Sequence, residues 1–179
     1  HGTRVKEQVY RPDWTSPERL AYTNLLFDIL AELSDHNAEG SVSTLPGSFK
    51  EFLPEGEAPV AMLDNLAACR EHVEKIASAK NLDLHLGLEP EPLGFFETSE
   101  ETVAFFDQLQ TRFGSDESWK KILGVNYDTC HLGVEYEEPK EAIGKLVGSN
   151  TWEELGEKME GRVMGRDPRS CFFLTIKSR

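Results

Sequence analysis

Three side chains of metal-binding type stand where an α/β protein would gather them. Glu89 follows the alternating run 82–88, and Asp128 closes a second alternating run, 122–128. His131 comes three residues later, in Asp128-Thr129-Cys130-His131. In parallel α/β folds, ligands bind at the carboxyl ends of the strands. Two carboxylates brought there at the same height on adjacent strands repel each other unless a cation lies between them. Mg²⁺, Mn²⁺ and Zn²⁺ all suit that role. A tight turn beyond the second run would bring His131 back over the same pocket, as a metal ligand or as a contact to a substrate hydroxyl.

Taken singly, each residue has a plainer role open to it. Glu89 runs into Pro90-Glu91-Pro92 and could be a solvated loop carboxylate. Asp128 could cap the turn after its strand, and a lone histidine is more often structural than a ligand. Their joint placement at two adjacent strand ends favours the metal site. Glu91 fits less well, because prolines on both sides take it out of a strand ladder. Arg4 and Lys6 are candidate contacts for an anionic substrate group, with surface solvation as the alternative. His85 shares the face of Glu89 and reads as a core histidine. Ser41, Ser43 and Ser48 lack a nucleophile-elbow pattern, and neither a P-loop nor a dinucleotide glycine fingerprint is present.

The elements that would position these groups alternate along the chain. The opening stretch to Trp14 has no period and reads as a loop. Thr15-Ser16-Pro17-Glu18 is a helix start, a hydroxyl cap followed by proline. Leu20, Leu26, Ile29, Leu30 and Leu33 are the expected apolar stripe of that helix. Residues 40–45 read as a strand, broken by Pro46-Gly47. A second helix runs from Pro59 to Lys80 with Met62, Leu66, Cys69, Val73 and Ile76 inward. The strand 82–88 turns Leu84, Leu86 and Leu88 one way and His85, Gly87 and Glu89 the other. Thr98-Ser99-Glu100-Glu101 is a capping box for a third helix, with Val103, Phe106 and Leu109 on its stripe. In the last strand Leu123, Val125 and Tyr127 oppose Gly124, Asn126 and Asp128. Glu138-Pro139 opens a fourth helix carrying Ala142, Ile143 and Leu146.

Strands alternating with helices predict parallel strands joined by crossover helices, an α/β fold. Three strands cannot close a barrel and make a meagre open sheet, so the chain reads as a slice. Residues 147–179 lose the pattern and are expected to form an atypical, poorly packed tail, in which 171–176 read as a strand or a sticky exposed segment.

Composition narrows the function. Of 179 residues, 19 are basic and 32 acidic, a net charge of −13 that repels nucleic acid and anionic membranes. No apolar run approaches the ~18 residues of a membrane span. Three cysteines, Cys69, Cys130 and Cys171, show no C-x-x-C spacing. A disulfide framework is therefore not expected, and the cytoplasm is the expected compartment.

Leu86-Gly87-Leu88-Glu89-Pro90-Glu91 and Asn126-Tyr127-Asp128-Thr129-Cys130-His131 resemble two signature segments of the xylose isomerase-like barrel superfamily, which includes sugar isomerases, epimerases and endonuclease IV. His1-Gly2-Thr3-Arg4-Val5-Lys6-Glu7 and the segment from Gly40 to Lys50 more narrowly resemble the EboE-type metabolite-traffic proteins. The resemblance spans about residues 1–146 and implies that they are the central slice of a barrel. It implies a (β/α)8 TIM barrel of which this chain would hold strands four to six, with Glu89 and Asp128 as metal ligands and His131 as ligand or substrate contact. It also implies a further histidine and a last glutamate from strands seven and eight. Neither is found after Leu146, so the site is expected to be incomplete and the chain by itself inactive.

Three functions follow as expectations. The first is isomerisation or epimerisation of a sugar or similar polyol. A divalent cation would hold two neighbouring substrate oxygens, and Glu89 would serve as ligand and candidate catalytic base. The second is a non-catalytic metabolite carrier on the same barrel, since fold alone does not decide function. The third is a nuclease related to endonuclease IV, which the charge and the lack of a basic stripe oppose.

Overall fold

The computed structural model describes residues 5–54, 56–116, 118–147 and 173–177. Helix α1 (Val5–Val9) stands where the sequence reads as a loop. At five residues it is too short to show an apolar period. Helix α2 (Pro17–Leu33) begins as its cap residues require: the Ser16 side chain accepts the Glu18 N–H, and Pro17 takes the first turn. Strand β1 (Glu39–Thr44), helix α3 (Val60–Lys80) and strand β2 (Asp83–Leu88) follow. Helix α4 (Ser99–Phe113) opens with the expected capping box between Thr98 and Glu101. Strand β3 (Leu123–Asp128) leads directly into the short helix α5 (Thr129–Val134), and helix α6 (Pro139–Val147) comes next. Strand β4 (Phe173–Lys177) is the last described element.

The sheet order is β1-β2-β3-β4. The first three strands are parallel, so the α/β arrangement read from alternation holds for them. β4 pairs antiparallel with β3, with Asp128 opposite Phe173, and makes the sheet mixed. Most of the expected tail, 148–172 and 178–179, lies outside the described residues.

One face of the sheet builds the core. Leu84, Leu86, Leu88 and Leu123 pack with Met62, Leu66, Cys69 and Val73 of α3 and with Phe105 and Leu109 of α4. The inward set on α3 agrees with its periodicity, but two other stripes differ. On α2 Leu20 and Leu30 of the expected stripe pack partly buried against the core, but the fully buried residues are Thr23, Phe27 and Ala31, while Ile29 is 48% and Leu33 80% exposed. Apolar residues surround that helix, so its pattern could not pick the inner face, and contact with α3 and the sheet decides it. On α4 the fully buried aromatic is Phe105, stacked on Phe96 with ring centroids 4.7 Å apart, whereas Phe106 is only partly buried.

The opposite face carries small and polar residues. In register, Ser43 lies beside Gly87, and Gly87 beside Gly124. Alternation places Glu89, Asn126 and Asp128 on this same side. The segment 10–16 crosses the end of β1. Trp14 is fully buried there, its indole N–H donating to Thr44 Oγ1 at 3.0 Å and its backbone N–H to Gly47 at 2.9 Å. The carboxyl edge of the sheet is thereby braced next to Glu89, whose own N–H donates to the Thr44 carbonyl at 2.9 Å. Among the described residues, no helix is long and apolar enough to cross a membrane.

Candidate metal centre

The ends of β2 and β3 bring Glu89 and Asp128 together, and α5 adds His131. One donor atom from each of the three falls within 4.8 Å of the others. Asp128 leaves β3 as its last residue and is also the N-cap of α5, its Oδ1 accepting the Cys130 N–H at 2.7 Å. The plainer role of Asp128 and the metal-binding role are thus compatible, because one oxygen caps and the other stays free to bind. The helix that Asp128 starts, rather than a tight turn, swings His131 back over the strand ends.

The imidazole lies between the two carboxylates. Nδ1 is 3.5 Å from Glu89 Oε1, and Nε2 is 3.5 Å from Asp128 Oδ2. These separations are long for hydrogen bonds, and Nδ1 is buried without a hydrogen-bond partner. Either one matches the edge of a tetrahedron around an ion whose ligands sit at about 2.0–2.2 Å, for which donors lie roughly 3.3–3.6 Å apart, but they end on different ring nitrogens, so only one of the two can be such an edge. An ion takes one imidazole nitrogen. The other then keeps a carboxylate neighbour, the usual orienting arrangement for a metal-bound histidine. A nitrogen and two carboxylate oxygens form a donor set suited to Zn²⁺ or Mn²⁺.

Exposure is graded across the three. The Asp128 side chain is 9% exposed, Glu89 20% and His131 30%. The site is therefore reachable from solvent on the histidine side and shielded on the aspartate side.

Two residues that the sequence did not single out as functional complete the surroundings of Glu89. Its Oε2 accepts from Ser43 Oγ at 2.7 Å and from Asn126 Nδ2 at 2.6 Å, and the same amide reaches Ser43 Oγ at 3.0 Å. The space beside Gly87 is filled by Asn126. A Cβ there would stand 3.0 Å from the Asn126 Cβ, so glycine on β2 is what lets the asparagine lean across to Glu89. Strand alternation puts Asn126 on the right face, but only the pairing register puts it against Gly87.

No protein-family model matches the chain, and no curated protein matches it.

Other expected site residues lie apart from this cluster or outside what is described. Arg4 lies outside the described residues, and Lys6 is described only in its backbone, within α1. His85 is buried on β2, as read from its inward position. Glu91 sits beside Tyr10, whose phenol is held neutral well above its ordinary range by burial and by the nearby Glu91 and Glu97.

Proposed function

We propose that this chain supplies Glu89, Asp128 and His131 to a divalent-metal site of a xylose isomerase-like (β/α)8 barrel, and that the barrel processes a polyol or sugar-like metabolite by isomerisation or epimerisation. The observation that carries this reading is the convergence of one imidazole and two carboxylates at the ends of neighbouring parallel strands, with one donor atom from each within 4.8 Å of the others. The resemblance of the segments around Glu89 and Asp128 to the superfamily's signatures supports it, as does the narrower likeness to EboE-type proteins. The bound ion would supply Lewis acidity toward neighbouring substrate oxygens. The chain's own part is to hold those ligands. Asp128 is fixed by its capping bond, Glu89 by Ser43 and Asn126, and His131 by the helix that Asp128 starts. The net charge of −13 favours a cation and a neutral substrate over a nucleic acid.

The test is titration of the chain with Mn²⁺ and Zn²⁺, followed by an assay of aldose–ketose and epimer interconversion. Three protein ligands are few, so binding is expected to be weak and turnover by the chain itself absent, with both rising if further barrel strands are supplied. A chain that binds neither ion, or binds them equally after loss of Asp128 and His131, sinks the proposal.

A further inference from the structure

We infer that Ser43 and Asn126 are positioning residues that make Glu89 a one-oxygen ligand and thereby set which ions the site accepts. This rests on the metal-site reading and goes beyond it. The two donors come from the strands on either side of β2, and both converge on Oε2 at 2.6–2.7 Å. Oε1 is the oxygen turned toward His131, at 3.5 Å from Nδ1. Asn126 is 5% exposed, and its amide is shared between Ser43 and Glu89, so releasing Oε2 would strand buried polar groups. Gly87 keeps the space through which that side chain passes.

The consequence is chemical. Ca²⁺ takes six to eight oxygens and often uses carboxylates with both oxygens, whereas Zn²⁺ takes about four donors and Mn²⁺ an octahedral six. A carboxylate with one oxygen already committed to two donors cannot chelate, so the clamp discriminates against the larger ion. Glu89 held in this way is a ligand and not the group that moves a substrate proton. Its free oxygen faces the ion position, and the other is held by two donors.

The experiment compares the full chain with Ser43→Ala and Asn126→Ala. Mn²⁺ affinity is read by electron paramagnetic resonance of the free ion, and Ca²⁺ affinity by competition. The preference for Mn²⁺ over Ca²⁺ should fall about tenfold in Asn126→Ala, in line with the loss of a partner behind a ligand. It should fall by a smaller factor in Ser43→Ala, which removes a hydroxyl at an exposed position of the edge strand and leaves the fold intact. Equal loss of both ions in both variants, with the ratio unchanged, would make the two residues merely structural and overturn the inference while leaving the metal site standing. A parent chain that binds neither ion overturns the inference and the proposed function together.

Discussion

Asp128 caps the helix that carries His131, and the two remain in contact, Oδ2 lying 3.5 Å from Nε2 while Oδ1 accepts the Cys130 N–H. One carboxylate therefore both positions the histidine, through the helix it caps, and stands beside it as a proposed ligand. The two duties can be separated by substitution, because asparagine caps a helix as well as aspartate does.

Asp128→Asn should keep α5 and cost little stability, yet remove the anionic ligand. Mn²⁺ and Zn²⁺ binding should be lost while the thermal midpoint stays near that of the parent. Asp128→Ala should lose binding and also about 1 kcal/mol of stability, the worth of a cap. Calorimetric titration and thermal denaturation of both variants check this. Undiminished metal binding in Asp128→Asn would leave the residue with its capping role alone.

Gly87 should tolerate no side chain. The Cβ of Gly87→Ala would sit 3.0 Å from the Asn126 Cβ and 3.4 Å from the Asn126 backbone nitrogen. Overpacking of this kind costs about 1–3 kcal/mol. Much of that cost should vanish in an Asn126→Gly background, where the facing Cβ is gone, and denaturant unfolding of the four proteins in the cycle measures the coupling. Strict additivity would show that the strain is relieved elsewhere.

Thr44→Val should orphan the Trp14 indole. The tryptophan is fully buried and donates to Thr44 Oγ1 at 3.0 Å. Leaving such a donor unpaired costs about 1–3 kcal/mol. Thr44→Ser keeps the hydroxyl and should cost clearly less. The two variants compared by chemical denaturation decide whether the hydrogen bond or the methyl group matters at this strand end.

Alkali should unfold the protein through its buried phenols. Burial pushes the Tyr127 phenol up to about 12, with Glu137 and Glu138 adding to the effect. Tyr10 is raised further, first by burial and then by Glu91 and Glu97. The folded state keeps these protons where the unfolded chain has lost them, so the unfolded state binds fewer. Stability is therefore intact below the ordinary tyrosine pKa of roughly 10 and falls as the pH rises above it. Phenolate absorbance followed alongside circular dichroism should show Tyr10 and Tyr127 ionising only within the unfolding transition. Ionisation of all four tyrosines with the dichroism still native would contradict this.

Local sequence determined the elements of this protein because the interactions that start and stop them are local. Ser16-Pro17 and the box from Thr98 to Glu101 announce their helices, and the alternation of Leu84, Leu86 and Leu88 announces a strand with one apolar face. The same alternation placed Glu89 and Asp128 at strand ends on one side, and the short spacing to His131 named the third candidate donor before any folding was considered. Tertiary structure decided what depends on distance along the chain. The apolar ring of α2 has no preferred side until α3 and the sheet take one, and Phe105 rather than Phe106 is buried because Phe96, from the preceding loop, is there to stack on it. The antiparallel pairing of β4 on β3 joins residues some fifty positions apart, and no period in either strand encodes it. The clamp on Glu89 is of the same kind. Ser43, Gly87 and Asn126 carry no mark of their joint role until the register of three strands sets them side by side, since hydrogen bonds between strands depend on alignment and side-chain type alone does not specify it.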